Sequence, residues 1–191
     1  MPGVFAHPFL YWVGMDTDPR TTPEALAEFN RFYSTTHVHE VLAAHPGFVS
    51  VSRYELAEAE AGSGPRWLAV YAMQDATAAE QYVKDNERPW LHRRKYSPWP
   101  AARRRAKTVW RMIWRQVAAA ESADQALESV VLVGTHTAVD SGTCFELYRE
   151  FAHPAPGSPR FCAIYAADAP PAANGPETLW RLVYRRLPPP E

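Results

Sequence analysis

Blocks of apolar residues, each about as long as one secondary-structure element, follow one another through the first half of the chain. Phe9–Met15 has the length of a strand, and a turn-forming stretch rich in Asp and Pro closes it. Thr22 can then cap a helix that has Pro23 in its first turn. Apolar and aromatic residues recur along this helix at three- and four-residue spacing until a stop at His45–Gly47. The pattern predicts a strand followed by one long helix.

Two strands, a second helix and a fourth strand follow in the same half. Phe48–Tyr54 and Trp67–Met73 flank a short glycine-containing loop, which favours a hairpin. Asp75 can cap a helix that runs to Glu87, and Thr108–Val117 has the apolar character of a strand. The resulting order, βαββαβ, is that of a ferredoxin-like unit, so we expect an α+β fold.

The second half of the sequence repeats the first in reduced form. Thr108–Arg115 recurs as Thr178–Arg185, and Pro65–Ala72 recurs as Pro159–Ala166. Val130–Gly134 stands where the first strand stood. These matches keep their order and rough spacing, which indicates four further strands.

The repeat has no counterpart of the first helix, since only Asp140–Gly142 separates its first two strands. We therefore predict two tandem ferredoxin-like units, a ligand-binding unit over residues 1–117 and a mainly β unit over 118–191. A bare sheet needs a partner surface for its aromatic side chains. We expect the second sheet to pack on the first and to complete an α+β barrel.

The fourth strand has two apolar faces, and periodicity does not decide which of them turns inward. One face carries Trp110, Met112 and Trp114, and the other carries Val109, Arg111 and Ile113.

Composition narrows the function classes. The chain is 47% hydrophobic and 13% aromatic with a formal net charge of −1. This balance gives no reason to expect nucleic acid or an anionic membrane as a partner. No segment approaches the roughly 20 apolar residues of a spanning helix, so we expect a cytoplasmic protein. In that compartment Cys144 and Cys162 should be buried free thiols.

Several motifs of the first half resemble the dimeric α+β barrel superfamily, and within it the EthD-like group of small proteins. They are an aromatic pair before a histidine, Phe29–Tyr33 and His37–Leu42, then the turn Pro46–Phe48, then Arg53 and Tyr54. The resemblance covers residues 1–117. The second half is similar only through its strands, and it departs from the family by lacking the helix that carries the histidine.

The resemblance implies a ligand cavity between sheet and helix, in the first half only. It implies a small-molecule enzyme that works without a cofactor by His-assisted proton transfer, as a cyclase, decarboxylase, lyase or isomerase. The substrate would be apolar, aromatic or polyketide-like, and a homodimer is an open alternative. Two other functions stay open: a cofactor-free monooxygenase, and a non-catalytic ligand-binding or assembly protein. Some relatives bind haem, for which His37 or His92 would be the axial ligand.

His37 is the first catalytic candidate, because it matches the family histidine and follows Tyr33 by one helical turn. A neutral imidazole can take or give a proton, and the phenol can orient a carbonyl. A buried histidine bonded to a backbone carbonyl would give the same pattern. Glu40 should neighbour His37, so His37, Tyr33 and Glu40 are the predicted catalytic residues, whereas His39 points elsewhere. Two histidines at i and i+2 on a helix cannot converge on one ion, so we expect no metal.

Aromatic residues and one arginine are the candidates for substrate contact, although bulky aromatics serve most often as core. They are Tyr11, Phe29, Trp67, Tyr71, Trp90, Trp110, Arg111 and Trp114. Trp90 belongs to the basic, proline-broken segment 87–106, which is too long for a plain connection. Two interpretations of this segment stay open, a lid over the pocket and a solvated surface loop.

Overall fold

Eight strands and three α-helices make up the described part of the chain in the computed structural model, which covers residues 3–87, 96–120, 127–152, 158–168 and 177–188. The strands are β1 (Phe9–Thr17), β2 (Phe48–Ala61), β3 (Trp67–Met73), β4 (Ala106–Ala118), β5 (Ser129–Thr135), β6 (Thr143–Ala152), β7 (Phe161–Ala166) and β8 (Thr178–Arg186). The α-helices are α1 (Pro23–Phe32), α2 (Val38–Ala44) and α3 (Ala76–Asn86). A π-helical turn, Tyr33–His37, joins α1 to α2, and a 3₁₀ turn, Ala101–Arg105, precedes β4.

The strands close into one antiparallel barrel in the order β1-β3-β2-β8-β5-β7-β6-β4. Each half of the chain contributes four adjacent strands in the same relative order, β4-β1-β3-β2 and β8-β5-β7-β6. The two sets join where β2 pairs with β8 and where β4 pairs with β6. The predicted α+β barrel is confirmed, and within it the second set of strands completes the sheet that the first set begins.

The helices begin where the sequence predicts. The Thr22 hydroxyl accepts a hydrogen bond from the Ala25 amide at 3.3 Å, and the Asp75 carboxylate accepts one from the Ala78 amide at 3.0 Å. The spacing predicts one continuous α-helix here. In the structure the π-helical turn divides it. A π turn holds one more residue than an α turn, so it rotates the following helix relative to the preceding one.

The barrel interior is filled by apolar side chains from all eight strands of the described chain. Trp110, Met112 and Trp114 belong to this interior cluster, which settles the orientation of β4. Glycine makes room for two of the indoles. A Cβ on Gly134 would lie 2.3 Å from the ring of Trp180, and one on Gly14 would lie 2.8 Å from the Cβ of Trp110.

The opposite face of the first sheet packs against the helices and forms a second apolar cluster. Tyr11, Tyr71 and Ile113 come from the sheet, and Phe29 and Tyr33 come from the helical layer. Cys144 and Cys162 are buried free thiols, as the sequence predicts. Among the described helices, none has both the length and the apolar character needed to cross a membrane. The layer between the sheet and the helices is where the candidate site lies.

Candidate functional site

A cavity of about 250 Å³ lies between the outer face of the first sheet and the π-helical turn. Its walls carry five tyrosines, one histidine and two arginines. None of the described residues that line it has a carboxylate side chain. The lining residues are Tyr11, Val13, Met15, Tyr33, His37, Val41, Tyr71, Tyr82, Tyr96, Trp99, Arg103, Thr108 and Arg111.

The π-helical turn positions two of the three predicted catalytic residues on one wall of the cavity. Tyr33 opens the turn and His37 ends it, and the rings meet edge to face with their centroids 5.0 Å apart. The amide of Val38 donates to the carbonyl of Tyr33, which closes the wide turn. π turns inside α-helices occur frequently at functional sites, because they turn a side chain out of the regular helical register.

Burial keeps His37 neutral. Loss of solvation lowers the pKa of His37 to about 4, with Arg103 and Arg53 acting in the same direction and Glu40 opposing them. Its Nδ1 atom is buried and has no hydrogen-bond partner in the described part of the chain. Aromatic rings surround it, since the ring centroid of Trp99 lies 4.3 Å away and that of Tyr96 lies 5.3 Å away. At neutral pH this histidine is an uncharged imidazole in a largely apolar setting.

A buried arginine, Arg53, packs against the ring of Tyr33. The Arg53 guanidinium lies 4.3 Å from the centroid of the Tyr33 ring, and it donates to the Asn30 carbonyl at 3.1 Å and to the Ser34 hydroxyl at 2.5 Å. Burial raises the pKa of Tyr33, so its hydroxyl is protonated at neutral pH. Burial, and after it the neighbouring Tyr33 hydroxyl, raises the pKa of Tyr71. Both phenols are therefore protonated at neutral pH.

Arg111 anchors the opposite, sheet-side wall. Its Nε donates to the Tyr11 hydroxyl at 3.0 Å, and its Nη2 donates to the Tyr82 hydroxyl at 3.3 Å and to the Asn86 side-chain oxygen at 2.6 Å. Phe151 from β6 lies against the guanidinium, with the Cζ atom 5.2 Å from the ring centroid. The second half of the chain thus contributes a side chain beside the cavity of the first.

The segment from Tyr96 to Pro100 closes the cavity next to His37. Three polar contacts fix it: the Tyr96 hydroxyl lies 2.7 Å from Nε2 of His45, and the Glu40 carboxylate accepts from the Ser97 amide at 2.9 Å and from the Ser97 hydroxyl. Trp99 packs among the aromatic rings of the helical layer. Part of the basic segment 87–106 therefore lies over the pocket, while residues 88–95 are outside the described ranges.

The structure brings some of the predicted residues together and separates others. His37, Tyr33, Tyr11, Tyr71 and Arg111 all line the cavity. Phe29 and Trp67 lie in the same sheet–helix layer without lining the cavity, whereas Trp110 and Trp114 point into the barrel interior. Glu40 bonds to Ser97 rather than to His37, and Trp90 lies outside the described residues.

Sequence reasoning did not select five residues of the site, namely His45, Tyr82, Tyr96, Trp99 and Arg103. His45 was seen only as part of a helix stop, and Tyr82 only as an apolar position of a helix. The one available signal was the concentration of aromatic and basic residues in the segment 87–106. That signal identified the segment but not the side chains that turn inward.

The described residues offer no cluster of metal-ligating side chains. No group of three or more His, Cys, Asp or Glu side chains in the described ranges could hold a metal ion. The rings of Tyr33, Tyr96 and Trp99 pack around His37, the described candidate for a haem ligand, at centroid distances of 4.3 to 5.3 Å. His92 lies outside the described residues.

Comparisons with known proteins bear on the fold. No protein-family model matches this sequence, and no curated protein matches it. Among solved structures, the chain is similar to a crystal structure provisionally described as a chlorite dismutase, with a TM-score of 0.53 over 94% of each chain. The two sequences are 9% identical, so the likeness concerns architecture alone. The chain therefore shares the overall fold of this structure, which in this chain is an eight-stranded α+β barrel.

Proposed function

We propose that this protein is an EthD-like, small-molecule enzyme in which His37 transfers a proton of a substrate held between the π-helical turn and the first sheet. One observation carries the proposal: a neutral, half-buried imidazole lines the cavity, and its buried Nδ1 has no partner among the described residues. A histidine kept only for structure would normally satisfy that buried nitrogen.

The chemical step follows from the groups around His37. The unprotonated ring nitrogen takes a proton from an acidic C–H or O–H group of the substrate and becomes imidazolium. The electron pair stays on the substrate as an enolate or phenolate, and the hydroxyls of Tyr33 and Tyr71 can donate hydrogen bonds to it. The imidazolium then returns the proton at another atom, which is the step that cyclases, decarboxylases, lyases and isomerases share.

The size of the cavity limits the substrate. An engineered apolar cavity of about 150 Å³ holds one benzene molecule. A cavity of about 250 Å³ therefore suits a molecule of one or two rings. This favours a small aromatic substrate over an extended polyketide, and the surrounding tyrosine and tryptophan rings offer faces on which it can stack.

The second half of the chain serves, in this proposal, to complete the barrel, since the segment that carries the family histidine has no counterpart there. Tyr96–Pro100, the described part of the predicted lid segment, holds Trp99 beside His37. A homodimer, if one forms, uses surfaces other than a free strand edge, because the described strands close on themselves.

The proposal is tested by proton exchange from an enolisable two-ring ketone, 2-tetralone, followed by NMR in D₂O at pH 7. We expect the wild-type protein to accelerate the loss of the α-proton signal and the His37→Gln variant to be at least about 100-fold slower. His39→Gln is the matched control, because His39 is exposed on the same helical segment.

Each outcome separates one alternative. Equal exchange rates for wild type and His37→Gln would show that His37 does not carry the proton, which is the result expected of a non-catalytic binding protein. Consumption of dioxygen by the same mixture, followed with an oxygen electrode, would identify a cofactor-free monooxygenase, in which the substrate carbanion reacts with dioxygen.

A further inference from the structure

The two arginines of the cavity have no carboxylate partner in the described part of the chain. Among the described residues, Arg111 bonds to the neutral oxygens of Tyr11, Tyr82 and Asn86. By contrast, six other described arginines pair with carboxylates, in Arg20–Asp18, Arg66–Glu55, Arg115–Glu146, Arg160–Glu146, Arg181–Glu60 and Arg186–Glu128.

Arg111 is held in a fixed orientation with part of its guanidinium unused. Nε and Nη2 make all of its hydrogen bonds to described residues, so Nη1 donates none there. The ring of Phe151 lies against the group. A planar guanidinium that is already oriented loses little rotamer freedom when it binds a planar anion.

Arg103 approaches the same cavity from the 3₁₀ turn before β4 and is held in a similar way. Its Nη1 donates to the Ala106 carbonyl at 2.5 Å, and its Nη2 donates to the Thr108 hydroxyl at 3.2 Å. The Cζ atom lies 5.3 Å from the centroid of a Trp99 ring. Like Arg111, it is oriented by neutral acceptors and carries a positive charge that no described carboxylate neutralises.

Two partly buried cations that line one small cavity without an acidic residue create a positive potential inside it. Burying a charge without a counter-charge is costly, and an anion from outside relieves that cost. Hydrogen bonds between a guanidinium and a carboxylate are charge-assisted and about twice as strong as bonds between neutral groups. We propose that Arg103 and Arg111 form the binding site for a carboxylate group of the substrate, which makes the ligand a small aromatic acid.

This inference deepens the proposed function, because it names the class of molecule that the same cavity accepts. Trp99 links the carboxylate site to the proton-transfer site. Its rings lie 4.3 Å from His37 and 5.3 Å from the Arg103 guanidinium. An aromatic acid anchored by Arg103 therefore has its ring within reach of the imidazole.

The test compares 2-naphthoate with its neutral isostere, 2-naphthamide, by isothermal titration calorimetry at pH 7. We expect wild type to bind the acid at least about tenfold more tightly than the amide. Arg111→Gln and Arg103→Gln should each lose at least about tenfold in affinity for the acid and keep the affinity for the amide. Arg115→Gln is the matched control on the same strand, since Arg115 pairs with Glu146 outside the cavity.

Three results would overturn the carboxylate site: equal affinities for acid and amide, no binding of either, or a preference for the acid that survives both cavity substitutions. If Arg111→Gln fails to fold, as judged by circular dichroism, Arg103→Gln carries the test on its own. Calorimetry does not depend on His37. If wild type prefers the acid but His37→Gln keeps the wild-type rate of proton exchange, the proposed proton transfer is contradicted and the carboxylate site is supported.

Discussion

Among single residues, His37 combines a weak basicity with a position where negative charge would develop. Its pKa of about 4 follows mainly from the loss of solvation of the charged form. An enolate or carboxylate that enters the cavity would favour the imidazolium and raise that pKa. The histidine thus becomes a stronger base when an anion lies beside it, so its basicity is coupled to the presence of the substrate.

The buried neutral form of His37 predicts a loss of stability in acid. The pKa of His37 is about 4 in the folded chain and about 6.5 in the unfolded chain. Between these values the unfolded chain binds more protons, so the free energy of unfolding falls as the pH drops from 6.5 towards 4. Urea unfolding at pH 7 and at pH 4.5 should show an additional loss of about 2 kcal/mol in wild type relative to His37→Gln. Equal losses in the two proteins would contradict burial of the neutral imidazole.

At the residue level, about half of the site can be predicted from the sequence. His37 and Tyr33 could be found because one helical turn separates them, and Arg111 because it interrupts an apolar strand. Tyr96, Trp99 and Arg103 could not be assigned, since irregular segments have no periodicity that says which side chains turn inward. Trp110 and Trp114 were assigned to the site only because aromatic character does not distinguish one sheet face from the other.

Among the structural elements, the segment Tyr96–Pro100 is held over the cavity by side chains of α2. The Glu40 carboxylate accepts two hydrogen bonds from Ser97. Bonds to a charged acceptor contribute about 1.5–3 kcal/mol each.

Sequence patterns gave the strands and helix starts of the first half closely, because caps and apolar runs are local signals. They do not reveal the π-helical turn, whose first and last residues, Tyr33 and His37, pack against Trp99 of this segment in non-local contacts.

Replacing Glu40 by Ala should release this segment without unfolding the barrel. Both bonds to Ser97 are lost, so we expect hydrogen exchange at the Ser97 amide to accelerate at least about tenfold. Exchange in the strands should not change. Glu28→Ala is the matched control, because Glu28 is exposed on α1. Unchanged exchange at Ser97 in Glu40→Ala would show that the aromatic packing of Trp99 alone holds the segment.

At the scale of the whole molecule, closure of the barrel makes the two halves depend on each other. β2 and β4 are edge strands of the first half, and β8 and β6 cover them. The first half alone would expose these edges together with interior indoles such as Trp12 and Trp114. The repeat in the sequence indicated such a partnership, and the division at residue 117 stays a prediction.

A fragment of residues 1–118 should therefore associate rather than remain a monomer. In the intact chain β8 and β6 hold the positions that β4 and β2 of a second copy would take, because both halves have the same strand order. We expect sedimentation equilibrium to show a dimer of the fragment. A folded, monomeric fragment would show that the first sheet does not need a partner, and the intact chain provides the reference mass.

The interior tryptophans give the closed barrel an optical signature of its own. Trp12, Trp110, Trp114 and Trp180 form a chain of neighbouring indoles with ring centroids 5.3 to 6.4 Å apart. Indoles this close couple their electronic transitions, so their near-ultraviolet circular dichroism depends on their mutual orientation. Trp180 comes from the second half of the chain and the other three from the first. The coupled signal therefore reports whether the halves are docked.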